Sequence, residues 1–144
     1  MTDRMTDREA ITERLAEVAA ALDERDWAAL AAAFTPDARG YSATGREAIV
    51  ARVRDHLGGC GPSQHLLGNV RVAVEGDTAT SRAYGRVYHV GLGERAGAFY
   101  ECIGEYRDSW LRTAEGWLLT DRRFVVTIEL GDRDVLRPDQ SKLA

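Results

Sequence analysis

The chain is nearly without lysine: of its 19 basic residues 18 are Arg, and the single Lys is Lys142, in the tail. Against 23 acidic residues this leaves a net charge of −4, and the arginines are scattered without a basic run. Such a distribution offers no basic face for nucleic acid and no cationic surface for a membrane. No apolar run approaches the ~18 residues of a membrane span. The charged segment Met1–Arg8 does not read as a signal peptide. Only two cysteines occur, Cys60 and Cys102, without CxxC spacing, so they read as free thiols of a cytoplasmic protein. The three histidines, His56, His65 and His89, lack ligand spacing, which predicts no metal and no cofactor.

What remains is enough for a core. With 144 residues, 44% of them hydrophobic, the expectation is one domain over 1–144, with a body at about 7–130 and a polar tail at 131–144. Thr6 and Glu9 form a capping box ahead of Ile11, Leu15, Val18 and Leu22 at helical spacing, which predicts a helix over 7–24. Asp26 caps a second helix carrying Trp27, Leu30, Ala31 and Phe34 on one face, limited by Pro36. A short strand follows at 38–43. Thr44 and Glu47 then read as a capping box for a third helix at about 46–57, which Gly58-Gly59-Cys60-Gly61-Pro62 breaks.

From here the period becomes two. A strand through Leu66, Val70, Val72 and Val74 turns at Glu75-Gly76-Asp77 into 78–91, with Tyr84 and Tyr88 on one face and Val87 and His89 on the other. Residues 91–97 form a loop, and 98–112 and 117–130 a second hairpin. Helices first and long antiparallel strands afterwards define an α+β fold, a curved sheet wrapped around N-terminal helices and enclosing a pocket.

That order places chemistry-bearing residues together. A hairpin centred on residue 77 sets His65 opposite His89, within ~5–8 Å at Cβ on one face unless a bulge shifts the register. Two adjacent imidazoles suit general acid/base work, one tending to stay neutral. Asp108 and Tyr106 share one face of a later strand, where a buried carboxyl can stay protonated and donate a hydrogen bond. Trp110, Val87 and Phe34 are candidate pocket walls.

Several segments together resemble the nuclear transport factor 2-like superfamily, in its SnoaL-like and scytalone dehydratase-like branch. They are Asp26-Trp27-Ala28-Ala29-Leu30 running into Phe34-Thr35-Pro36-Asp37-Ala38, Gly45-Arg46-Glu47-Ala48-Ile49, Ser63-Gln64-His65-Leu66-Leu67-Gly68-Asn69, Gly76-Asp77-Thr78-Ala79, and Gly116-Trp117. The resemblance implies a conical α+β barrel with an apolar pocket on the concave sheet face, and a homodimer formed through the sheet. It implies a catalytic His at His65, because Gln64-His65-Leu66-Leu67-Gly68 is similar to the dehydratases' Gln-His-aromatic-Ile-Gly, and a second near His89. It also implies a carboxylate after the second helix. Residues 38–43 contain none, and Tyr41 or Ser42 stands there instead, with Tyr41 able to orient a substrate oxygen.

Three functions remain open. The first is a small cofactor-independent enzyme for dehydration, isomerisation or ring closure of an apolar oxygenated molecule, in secondary, polyketide-like metabolism. The second is a ligand-binding or scaffold protein with the same pocket and no turnover. The third is an epoxide hydrolase- or cyclase-like site on Asp108 and an arginine.

Overall fold

In the computed structural model residues 5–136 are described. Helix α1 spans Asp7–Glu24 and begins at the capping box: Glu9 N–H donates to Thr6 Oγ1 at 3.2 Å, and Thr6 N–H to Glu9 Oε2 at 2.8 Å. Its buried face is Ile11, Leu15, Val18, Ala21 and Leu22. Each of the larger side chains contributes about 1.5–3 kcal/mol by leaving water. The helix ends at Arg25 in the left-handed region, φ 56°, where glycine is usual. The Arg25 guanidinium secures this end by donating to the carbonyls of Leu22 and Gly61, both at 2.7 Å, and to Ser63 Oγ at 2.8 Å.

Helix α2 is Trp27–Ala32, capped by Asp26, whose Oδ1 accepts from Ala29 N–H at 3.1 Å. It stops two residues short of Phe34. That residue opens strand β1 (Phe34–Gly40), so it is not on the helix face expected of it. The reason is Pro36, which drives the residues before it towards extended backbone. The expected strand at 38–43 is two strands, β1 and β2 (Ala43–Thr44), joined by a tight turn in which both Tyr41 (φ 53°) and Ser42 (φ 60°) are left-handed. Helix α3, Arg46–Leu57, has the expected bounds but a different start. Thr44 pairs in β2, so the N-cap is Gly45, φ 95°, with no side-chain cap, and the Thr44–Glu47 capping box does not form.

The long strands are β3 (Ser63–Glu75), β4 (Thr78–Val90), β5 (Phe99–Thr113) and β6 (Gly116–Gly131). They join β1 and β2 in one curved, unclosed six-stranded sheet of order β2-β1-β6-β5-β4-β3, antiparallel except for the β1–β6 pair. Alternation is strict on β4: every odd residue from Ala79 to His89 faces inward. The helices cover this concave face, and the core runs from Ile11, Leu15 and Leu22 through Phe34 and Ile49 to Val87, Trp110 and Leu119.

Gly85 and Gly104 lie directly opposite each other on β4 and β5. A Cβ on Gly85 would lie 2.8 Å from the Tyr106 ring. Gly85 thus leaves room for that ring, and Gly104 for the close approach of the Val125 backbone on β6. The expected tail is strand as far as Gly131, then a single 3-10 turn, Arg133–Leu136, which buries Val135 in the core. The rest, 137–144, lies outside the described residues.

Candidate active site

The turn between β3 and β4 is centred half a residue earlier than expected, with Glu75 opposite Thr78. A register shift between Gly68 and Arg71, where Asn69 adopts φ 47°, moves the pairing further. His65 therefore faces Val87, and His89 faces Ser63. The offset of two residues keeps both imidazoles on the inner face, as diagonal neighbours. Their ring centroids are 6.4 Å apart, with planes at 77°.

Behind His65 stands a residue that sequence reasoning missed. Asp23, in the last turn of α1, accepts from His65 Nδ1 at 2.6 Å and from the His65 backbone N–H at 2.9 Å. Ser63 Oγ donates to the same carboxylate at 3.1 Å while accepting from Arg25. Burial works to raise the Asp23 carboxyl, but the hydrogen bonds from His65 and Ser63 outweigh it and hold the carboxyl below its ordinary range. An ionised Asp23 only accepts, so His65 Nδ1 carries a proton, and in the neutral form of the ring Nε2 is the nitrogen with the free electron pair. One signal was available: carboxylates at a helix C-terminus oppose the helix dipole, and α1 ends on Asp23 and Glu24 with no basic residue in its last turn.

His89 is 3% exposed, and its Nδ1 donates to the Tyr100 carbonyl at 2.9 Å. Burial lowers its affinity for a second proton below the ordinary imidazole value; the Tyr100 bond opposes this only in part, and nearby His65 and Arg25 add to the lowering. His89 is thus a neutral ring with its Nε2 bare.

Both imidazoles line a cavity of about 460 Å³ together with Tyr41, Val87, Cys102, Tyr106 and Phe124. The volume suits a small ring molecule. The Tyr41 hydroxyl is buried without a hydrogen-bond partner. Tyr106 stacks on Phe124 at 4.2 Å, and burial raises its phenol well above the ordinary value. Burial likewise pushes the Cys102 thiol up to about 11, so it stays protonated.

The remaining candidates lie elsewhere. Asp108 faces inward beside Tyr106 but does not line this cavity. Arg122 grips its carboxylate with Nε–Oδ1 at 2.9 Å and Nη2–Oδ2 at 3.0 Å, both side chains being almost wholly buried. Burial raises the Asp108 carboxyl above its ordinary value, and Arg122 opposes this only in part. The two parallel bonds have the fork geometry of a guanidinium–carboxylate pair. Trp110 is core, its Nε1 donating to Ser81 Oγ at 2.8 Å, and Phe34 is core at 0% exposed; neither lines the cavity. His56 lines the cavity from α3, with Nδ1 bonded to the Arg52 carbonyl at 2.8 Å. Among the described residues no group of three or more His, Cys, Asp or Glu is arranged to hold a metal ion. No described helix is long and apolar enough to cross a membrane.

Three helices under a curved, unclosed six-stranded sheet, with an enclosed polar pair, define the cone of the NTF2-like fold. Residues 3–123 match the SnoaL-like domain, and the chain belongs to that family. An uncharacterized protein of Mycobacterium tuberculosis is 34% identical over 124 residues, covering 82% of this chain and 84% of its own. A Novosphingobium aromaticivorans structure carrying the name aromatic ring hydroxylase superposes with a TM-score of 0.83 at 27% identity, over 94% of this chain and all of the other. A structure from the same organism carrying the name scytalone dehydratase gives 0.77 at 22% identity, over 85% of each chain.

Proposed function

We propose that the chain is a cofactor-independent acid/base enzyme that eliminates water from, or moves a proton within, a small oxygenated ring molecule. The observation that carries this reading is the Asp23–His65 contact of 2.6 Å at the wall of a cavity that His89 and Tyr41 also line. His65 Nε2 takes a proton from carbon next to a carbonyl, and the imidazolium so formed is held against the Asp23 carboxylate. The electron pair of that C–H bond forms the new double bond as a β-hydroxyl departs. His65 returns its proton to that hydroxyl, which leaves as water. His89 Nε2 accepts a hydrogen bond from the hydroxyl and holds it in place. The Tyr41 O–H donates to the carbonyl oxygen, where negative charge builds up.

The dehydratase name of one structural neighbour agrees with this chemistry. The alternative of a binding protein without turnover draws its support from the missing carboxylate near Tyr41, and Asp23 supplies one from α1. A site built on Asp108 finds no support, because that carboxylate is spent on Arg122 away from the cavity. The reading includes a cytoplasmic protein of secondary metabolism that forms a homodimer through the outer sheet face. There Leu66, Tyr84, Ile128 and Leu130 are 46–63% exposed, and Tyr88 stacks on Phe99 at 5.3 Å. Sedimentation of wild type and Tyr84→Glu checks the dimer.

The test of the chemistry is dehydration of 3-hydroxy-1-tetralone to 1-naphthol, with exchange of its C2 protons followed in D2O. Turnover that disappears in His65→Ala supports the reading, and turnover that survives the substitution contradicts it.

A further inference from the structure

The charged side chains that line the cavity are Arg52 and Arg133, with no Asp or Glu among the lining residues, in a chain whose net charge is −4; the Asp23 carboxylate stands behind His65. Exposure sorts the lining residues by depth. His89 and Val87 are buried, whereas Arg52, His56 and Arg133 are exposed and so form the mouth. Arg133 is partly neutralised by Glu129 at 2.8 Å. Arg52 has no ion-pair or hydrogen-bond partner for its guanidinium among the described residues, and nothing in the structure anchors it away from the cavity.

A guanidinium beside an apolar cavity is matched by a planar carboxylate, which takes two parallel hydrogen bonds from its fork. Below it the walls are apolar: Leu22, Val53, Leu57, Val87, Phe124 and Leu136. They accept a ring. At depth, the Tyr41 hydroxyl lacks a partner although it is buried. Its residue is held at a positive φ that side chains rarely adopt, in the tight turn between β1 and β2. Strain of this kind persists where the surroundings fix it, and here it fixes a donor at the cavity wall.

We infer that the molecule bound is a ring carboxylic acid, with its carboxylate at the mouth on Arg52, its ring between the apolar walls, and a carbonyl or hydroxyl oxygen on Tyr41. This assigns the substrate class of the proposed active site and rests on that cavity being the site. The net charge of −4 opposes an anion overall, and the arginines at the mouth favour it there.

The probe pair is 2-naphthoate and its uncharged isostere 2-naphthamide, titrated calorimetrically into wild type, Arg52→Gln and His65→Ala. Wild type binds naphthoate at least about tenfold tighter than the amide, as expected of a hydrogen-bonded charge pair. Arg52→Gln removes that preference by weakening naphthoate alone, and raised salt does the same. His65→Ala keeps the preference, so the binding assignment stands or falls apart from the chemistry. Signals of Val87 and Tyr41 shift on binding. Four outcomes each overturn the inference: no saturable binding of naphthoate, equal affinity for acid and amide, equal weakening of both by Arg52→Gln, or shifts confined to residues outside the cavity.

Discussion

Asp23 and His65 lie 42 residues apart in the chain, and their side chains meet at 2.6 Å. The same carboxylate also takes the His65 backbone N–H, so both the ring and the start of β3 are held to the end of α1. This fixes which ring nitrogen carries the proton. At a pH where the ring is neutral, 15N spectra of wild type show the Nδ1–H tautomer of His65. In Asp23→Ala the ring moves towards Nε2–H. An Nε2–H ring in wild type contradicts the geometry.

His89 sets a pH dependence of stability. Its folded-state proton affinity is lowered from the ordinary 6.5 by burial, against the pull of the Tyr100 carbonyl. Between 6.5 and that lower value the unfolded chain binds more protons than the folded one, so stability falls as pH drops through this window. Asp23 is also lowered, from 3.8, and its contribution is lost only at more acid pH. Urea unfolding from pH 7 to pH 5 shows the loss in wild type and a flatter profile in His89→Gln. Equal slopes in the two proteins contradict the assignment.

The Asp108–Arg122 pair is a structural element with a large penalty for being broken. Asp108→Asn strands a buried guanidinium that also lies 4.2 Å over the Tyr106 ring. The expected loss is about 3–5 kcal/mol in urea unfolding. Replacing both partners, as in Asp108→Leu with Arg122→Met, recovers most of it. A loss below about 1 kcal/mol in the single variant indicates a pair in contact with water.

Tyr41→Phe has opposite effects on stability and on the site. Removing a buried hydroxyl that has no partner leaves the free protein as stable as before, or up to about 1 kcal/mol more stable. The same change weakens binding of an oxygenated ring ligand about tenfold, because a charged or polar oxygen loses its donor. A stability loss of more than 1 kcal/mol, read by urea unfolding, shows instead that the hydroxyl is satisfied in solution.

Local signals carried much of this architecture. The Thr6–Glu9 capping box and the period of Ile11, Leu15, Val18 and Leu22 set α1, and Gly76-Asp77 set the first hairpin closely enough to bring His65 and His89 onto one face. What failed was non-local. The shift at Asn69 is a backbone event without a residue pattern of its own, and it turned direct opposition into a diagonal. Phe34 followed helical spacing, but Pro36 made it a strand residue. Asp23 stood inside a correctly bounded helix, and only its fit against the helix dipole marked it. Its partner is set by how α1 packs on β3, which no spacing encodes. Asp108 was expected as an acid beside Tyr106 on one strand face; which way that face pointed was not legible, nor was its two-bond pairing with Arg122 on the neighbouring strand.

The central claim is that Asp23 and His65 act as one acid/base unit. The most direct measurement is the rate of 1-naphthol formation from 3-hydroxy-1-tetralone in wild type, Asp23→Asn, His65→Ala and the double variant. Each single substitution lowers kcat by about 100-fold or more, within the range of general acid/base catalysis, and leaves KM nearly unchanged. The double variant is no slower than His65→Ala, because the two residues serve one proton transfer. Asp23→Asn with wild-type kcat, or losses that multiply in the double variant, contradicts the account.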